Sequence, residues 1–203
     1  MGIIENNVYI VGGGESCFVV DPSCDPQRIL DAVGDRMVEA IVITHCHWDH
    51  TGAAAALREA TGAPVVASAI DAPFITCELP MPDHTVRNTP CPVDRMVADG
   101  DVLRLASRDW RVIATPGHTA GGVCYFLPAS HAHPGMPVLL SGDTLFQGTH
   151  GRTDFPESDP AAMRESLKRL AELPDDTAVL PGHNGFTTIA RERVWLQRGG
   201  IVR

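Results

Sequence analysis

Four potential metal ligands lie within six residues of this chain: His45, His47, Asp49 and His50. They directly follow Ala40-Ile41-Val42-Ile43, an apolar run typical of a strand that is buried on both faces. In a turn after such a strand, alternate positions place His45 and His47 on the same side, while Asp49 and His50 begin the next helix. Imidazole and carboxylate donors suit Zn²⁺, Fe²⁺ or Mn²⁺. Because the cluster uses no cysteine, it favours a catalytic site over a closed structural one. Four candidate ligands so close together also argue against the alternative that these are unrelated surface histidines.

Three further potential ligands share one sequence context. His118, Asp143 and His183 each come after an apolar strand and directly after a glycine. Glycine suits a tight turn or a close backbone approach, and loops at strand ends are where binding residues concentrate. A lone histidine is usually structural, but three such repeats besides the first cluster predict that all these side chains meet in one metal site.

The elements that must position these ligands form two runs of strands, each followed by helices. Asp25 with Pro26 begins a helix that Gly34 ends, and Asp159 with Pro160 begins another. This order predicts an α/β or α+β protein with stacked sheets. Strands are predicted at 8–11, 17–20, 40–43, 64–67, 102–105, 110–113, 123–126, 138–140 and 178–180, helices also at 53–60, 70–77 and about 188–197, irregular structure at 78–100 and a loop at 129–137.

Composition limits the kind of protein. The 203 residues suit one domain, over 1–203, with a full hydrophobic core. The formal net charge of −9 argues against a nucleic-acid-binding face. The sequence shows neither a secretory leader nor a stretch near the roughly 18 apolar residues that a membrane span needs. Six cysteines without a CxxC pair indicate reduced thiols and hence a cytoplasmic protein, whose oligomeric state stays open.

These motifs resemble, in order and over nearly the whole chain, those of the metallo-β-lactamase superfamily. The resemblance implies an αβ/βα four-layer sandwich of the α/β class, with two divalent metal ions at the edge between the sheets; zinc is favoured, with iron or manganese as alternatives. Asp21 matches an early aspartate of the superfamily, and we interpret it as a structural group that orients ligands. The resemblance implies that His45, His47 and His118 hold one metal, that Asp49, His50 and His183 hold the other, and that Asp143 bridges them.

Two longer stretches, residues 141–156 and 174–183, narrow the resemblance to small, single-domain glyoxalase II-like hydrolases. The resemblance implies a thioester hydrolase that cleaves hydroxyacyl-thiols such as S-lactoylglutathione, a small-molecule substrate, with a hydroxide shared by the two metals. Larger glyoxalase II enzymes carry an added C-terminal helical domain. We expect that domain to be absent, because only 20 residues follow His183, and this leaves the thiol carrier open.

The same resemblance suggests roles for individual residues. Asp49 and His50 are assigned to catalysis, since Asp49 can both bind a metal and orient the hydroxide. Arg152 is expected to meet a substrate carboxylate, with an ion pair to Asp154 as an alternative of equal weight. His150 is a candidate substrate contact, with an ordinary loop histidine as the alternative. The remaining histidines, His84, His131 and His133, receive no role.

Other functions stay open. A mononuclear iron oxygenase resembling persulfide dioxygenase is the main alternative, because those proteins share the Gly-Arg-Thr-Asp-Phe stretch at 151–155 and hold iron with two histidines and an aspartate. The presence of Asp49, His50 and His183 favours the dinuclear hydrolase. A lactonase or β-lactamase is a third alternative, and the complete ligand set disfavours the fourth, a non-catalytic binding module.

Overall fold

Two mixed β-sheets form the centre of the structure. The computed structural model describes residues 5–81, 89–129, 135–198 and 200. In spatial order, the first sheet contains β1 (Tyr9–Gly13), β2 (Ser16–Val20), β3 (Met37–Val42), β4 (Val65–Ser68) and β5 (Arg95–Val97). The second contains β11 (Thr187–Thr188), β10 (Ala178–Pro181), β9 (Val138–Gly142), β8 (Val123–Leu127), β7 (Arg108–Ala114) and β6 (Val102–Leu105).

Helices cover the outer face of each sheet and give four layers. One apolar cluster joins the first sheet to residues such as Ile29 and Leu57, and another joins the second sheet to Met163 and Leu167. A third cluster, which includes Trp110, lies between the two sheets. This arrangement confirms the predicted αβ/βα sandwich. The described helices are α1 (Pro26–Val33), α2 (Trp48–Thr51), α3 (Ala54–Thr61), α4 (Ala72–Ile75), α5 (Pro160–Leu170) and α6 (Ile189–Leu196).

The predicted helix ends are confirmed by their capping contacts. Asp25 accepts a hydrogen bond from the Arg28 amide, and Gly34 ends α1. Asp159 accepts hydrogen bonds from two amides of the first turn of α5. These side chains satisfy N–H groups that have no partner within the helix, which is why the local sequence was sufficient to place both helices.

Short elements were the ones that the sequence misplaced. The segment predicted to be irregular contains β5, which pairs in parallel with β4, and the two-residue β11 was not predicted. The helix predicted at 70–77 is only the four-residue α4. Elements this short show no full hydrophobic period, so tertiary pairing determines them. Residues 82–88 and 130–134, within the predicted irregular segment and loop, lie outside the described residues.

Strand direction brings the candidate ligands to one edge of the sandwich. β2, β3 and β4 are parallel. β7 and β9 both run antiparallel to β8, so they share one direction, and β10 is parallel to β9. Each candidate ligand follows the carboxyl end of β3, β7, β9 or β10, and the carboxyl ends of aligned strands are a common place for binding sites in α/β folds.

Two further observations concern membrane-spanning helices and cysteine thiols. Within the described ranges, no helix has the length and apolar character required to cross a bilayer. All six cysteines are free thiols.

Candidate metal centre

The loop that follows β3 is fixed between the two sheets. The Tyr125 hydroxyl donates to the Ile43 carbonyl at 2.8 Å, and the Val123 amide donates to the Thr44 carbonyl at 3.0 Å. Asp21, just after β2, accepts hydrogen bonds from the Thr44 amide and the Thr44 hydroxyl, both at 2.7 Å. The loop therefore presents its histidines from a rigid support.

Three histidines form the first group of candidate ligands. His45, His47 and His118 each offer a ligand atom within 4.8 Å of the others. His47 Nδ1 lies 2.9 Å from His118 Nε2. The structure thus brings together the three histidines that the sequence analysis assigned to one metal, although His118 is separated from His47 by 71 residues.

A second group lies beside the first. Asp49, His50 and His183 also offer atoms within 4.8 Å of one another, and Asp49 Oδ2 is 3.3 Å from Nε2 of both histidines. Asp143 stands between the groups: its Oδ1 is 3.3 Å from His50 Nε2, and its Oδ2 is 3.5 Å from His118 Nε2 and from His183 Nε2. This position suits the bridging role predicted for Asp143.

The outward-facing nitrogens of the histidines have partners in the protein. His45 Nδ1 lies 3.0 Å from the Thr44 hydroxyl oxygen, and His50 Nδ1 lies 3.0 Å from Asp21 Oδ2. His118 Nδ1 lies 2.7 Å from the Arg152 carbonyl oxygen. Such contacts fix the tautomer and the ring orientation of metal-binding histidines. Asp21 makes one of these contacts, with His50, and its role in orienting ligands stays a prediction.

The donor set fits a pair of divalent cations. His45 Nε2 is completely buried and, among the described residues, has no hydrogen-bond partner. A buried polar atom without a partner is costly, and an ion held with His47 and His118 would satisfy it. Imidazole nitrogens and carboxylate oxygens are the ligands of catalytic zinc and of related transition metals.

The two groups differ in their protonation. Burial lowers the pKa of His45, His47 and His118, to about 4 for His47, so these imidazoles are neutral at pH 7. Burial by itself would also lower the pKa of His50, but Asp143 and Asp21 raise it overall. Metal ligands must be deprotonated, so the second group has to release protons when a metal binds.

The two candidate carboxylate ligands, Asp49 and Asp143, are ionised. Burial on its own would raise the pKa of Asp49, yet contacts with His183 and His50 hold it well below its usual range. Burial by itself would also raise the pKa of Asp143, but His50 and other histidines together lower it by more than burial raises it. Both aspartates are therefore available as anionic ligands.

An open cleft of about 580 Å³ gives access to both groups. Arg152 and His150 line it, as do Asp49, Asp143 and His183. The Arg152 side chain is exposed and donates to both Asp154 carboxylate oxygens at 2.9 Å. Its guanidinium also lies 4.4 Å from the centre of the Phe155 ring. The ion pair left open by the sequence is thus present, and substrate binding by Arg152 and His150 remains a prediction. His84, His131 and His133 lie outside the described residues.

Several residues that hold the centre together were not predicted from the sequence. Asp71 accepts hydrogen bonds at 2.9 Å from the Cys46 amide, the Thr119 hydroxyl and the Gly121 amide, so it ties the two histidine-bearing loops to each other. Its place three residues after β4 resembles that of the other site residues and could have been noticed. Glu157 Oε1 lies 3.0 Å from His47 Nε2 across 110 residues, and no sequence signal marks it.

The comparison with known proteins identifies the family. The sequence profile of the metallo-β-lactamase superfamily matches residues 2–183. The chain belongs to the metallo-β-lactamase superfamily. It is also 38% identical over 182 residues to a hydroxyacylglutathione hydrolase of Albidiferax ferrireducens, covering 88% of this chain and 62% of that protein. These findings confirm the predicted superfamily and support a metal-dependent hydrolase.

Solved structures of the same fold agree. TTHA1623, solved in a di-iron-bound form, superimposes with a TM-score of 0.77 at 36% identity, covering 95% of this chain and 94% of that one. The BLEG-1 B3 metallo-β-lactamase gives 0.82 at 28% identity, with 95% and 93% covered. ETHE1 from Myxococcus xanthus gives 0.75 at 29% identity, with 96% and 81% covered. The neighbours therefore share this fold but carry different names.

Proposed function

We propose that this protein is a metal-dependent thioester hydrolase of the glyoxalase II type, which cleaves hydroxyacyl-thiols such as S-lactoylglutathione. One observation carries the proposal: the second ligand group, Asp49, His50 and His183, is complete and lies next to the first. The similarity to a hydroxyacylglutathione hydrolase supports the choice of thioesters. We further propose a cytoplasmic location and a small-molecule partner, which the free thiols and the acidic net charge support.

One cation would be held by His45, His47 and His118. The other would be held by Asp49, His50 and His183, and Asp143 would bind to both. Two divalent cations bound there would supply a hydroxide at neutral pH and Lewis acidity toward a carbonyl oxygen. We propose zinc as the occupant, with iron or manganese as alternatives, and the di-iron form of TTHA1623 supports iron as one of these.

The residues around the cleft would bind and orient the substrate. Asp49 lines the cleft and is ionised, so it can accept a hydrogen bond from the attacking water as well as bind a metal. Trp48 and Phe155 provide apolar surface for the acyl group. Arg152 lines the same cleft, and its guanidinium could exchange its exposed partner Asp154 for a substrate carboxylate, because solvent screens an exposed ion pair of this kind and leaves it weak.

The test is a panel of acyl-thioesters, assayed on protein of measured metal content. We expect cleavage of a hydroxyacyl-thioester that rises with metal content up to two ions per chain. Replacing Arg152 with Ala should raise KM with little change in kcat, because the contact would be made equally before and during reaction. Arg104→Ala is the matched control, since Arg104 also forms an exposed ion pair, with Asp109 on the neighbouring strand. Full occupancy by two metals without thioester cleavage would refute the proposal.

A mononuclear iron oxygenase is the second candidate. Two histidines with Asp143 form one of the compact ligand groups, and two histidines with one carboxylate are the ligand set of many non-haem iron oxygenases. One iron per chain, with oxygen uptake on glutathione persulfide and no thioester cleavage, would favour this function. Loss of a β-lactam chromophore would instead indicate the β-lactamase alternative.

A further inference from the structure

Asn6 is a buried residue that reaches the second ligand group. Only 3% of it is exposed. Its Nδ2 donates to Asp49 Oδ2 at 2.9 Å, and it lies 3.4 Å from Nε2 of both His50 and His183. One amide group therefore faces the three atoms that would hold the second metal.

The neighbouring residue Asn7 determines where Asn6 lies. The Asn7 amide donates to the Gly182 carbonyl at 2.7 Å, and the Asn7 side chain donates to the Pro181 carbonyl at 3.0 Å. These contacts attach the start of the described chain to the loop that carries His183. Asn6 is thereby held over the second group although it is 177 residues from His183.

Of the three contacts, the one to Asp49 has the geometry of a strong hydrogen bond. Donor–acceptor distances of about 2.7–3.2 Å are usual for such bonds, and the two contacts of 3.4 Å to histidine nitrogens are longer. The oxygen that accepts the Asn6 hydrogen, Oδ2, is also the one 3.3 Å from His50 Nε2 and from His183 Nε2. The amide thus fixes the carboxylate oxygen that faces the metal position.

We propose that Asn6 positions Asp49 for the second metal, so that the affinity of this position, and with it the choice between one metal and two, depends on the Asn6 amide. The inference rests on the proposed two-metal site. Asp21 performs the corresponding task for His50, and Asn6 performs it for the carboxylate ligand. A neutral amide restrains the carboxylate without adding a charge and without titrating. Loss of such a partner typically weakens metal binding about 10- to 100-fold.

Stepwise zinc binding tests the inference. Purified full-length protein is equilibrated with graded zinc buffers, and the zinc per chain is measured by elemental analysis. We expect Asn6→Ala and Asn6→Asp each to weaken the second binding step about 10- to 100-fold and to leave the first step within about threefold. Asn6→Asp is informative because it keeps the size of the side chain, removes the donor and adds a negative charge beside Asp49.

A control separates positioning from general destabilisation. Thr61→Ala removes a side-chain hydrogen bond of 2.7 Å to the Leu57 carbonyl, which involves no candidate ligand, and both zinc steps should stay as in the wild type. Adding Asn6→Ala to Asp49→Ala should cause no further loss at the second step, because residues that act through one contact are not additive.

Three results would overturn the inference: an unchanged second step in both Asn6 variants, equal weakening of both steps, or a second step made tighter by Asn6→Asp. The last would identify residue 6 as a ligand through oxygen. Wild-type protein that holds only one zinc at saturation would instead refute the two-metal function itself. The two failures are therefore distinguishable.

Discussion

Replacing Gly182 with Ala is expected to damage the metal centre although it replaces no ligand residue. A Cβ at this position would lie 2.6 Å from His50 Cε1 and closer still to Asp143 Oδ1. Ordinary contact begins at 3.4 Å, so the shortfall at His50 is about 0.8 Å. Gly182 cannot retreat, because its amide donates to the Gly142 carbonyl at 2.8 Å and its carbonyl accepts from the Asn7 amide at 2.7 Å. The displacement must then fall on the ligands His50 and Asp143.

A misplacement of about 1 Å in a catalytic site costs on the order of 100-fold in rate, or about 2.7 kcal/mol in the activation free energy. We expect Gly182→Ala to lose hydroxyacyl-thioester hydrolysis by about this factor and to bind the second zinc more weakly in the graded zinc buffers. Gly185→Ala is the matched control, because its Cβ would meet only the end of the flexible Gln147 side chain, at 3.2 Å. If Gly182→Ala held two metals with wild-type affinity and reacted within about threefold of the wild-type rate, the steric reasoning would be wrong.

Three more predictions follow from the same structure. Asp21→Asn removes the charge 3.0 Å from His50 Nδ1, and chelator competition should show zinc affinity reduced about 10- to 100-fold; unchanged affinity would contradict an orienting role. On acidification from about pH 8 to about pH 4, the second position should lose its metal first. Burial by itself would lower the pKa of His183, but the contact with Asp49 helps to raise it above its usual value. Burial lowers the pKa of His47 to about 4. On acidification, protons therefore compete with the metal for His183 at a higher pH than for His47. Metal per chain should fall in two steps with pH, and a single step would count against this order. Leu139→Ala empties a completely buried position beneath the helices of the second sheet. Urea unfolding should show about 2–5 kcal/mol less stability with metal stoichiometry retained, and a loss below about 1 kcal/mol would show that the core collapses around the gap.

Much of the fold was predictable because its signals are local. Asp25, Gly34 and Asp159 satisfy backbone groups within a few residues of themselves, so their spacing already placed the helix ends. β5 was missed because a strand of three residues has no measurable alternation, and its pairing with β4 depends on the sheet that is already formed. A helix of four residues such as α4 likewise shows no full hydrophobic period, which is why it was predicted too long.

The partners of the ligands were not predictable in the same way. Asn6 and Glu157 contact ligand residues 43 and 110 positions away, and no residue pattern records such distances. Arg152 illustrates an intermediate case. The sequence offered two partners for it, a substrate carboxylate and Asp154, and the structure shows the second.

The sequence by itself determined which side chains could bind metal and that each follows a strand, because strand–glycine–ligand segments are local and recur at His118, Asp143 and His183. Only the tertiary structure decided that these side chains form two adjacent groups and which atom of each faces the other. The relative direction of strands in two sheets brings the carboxyl ends to one edge, where Asp21 contacts His50 and Asn6 contacts Asp49. The chemistry that a single side chain can perform is evident from its own type and its neighbours in the sequence. A metal centre depends in addition on distances between side chains, which only the packed sandwich determines.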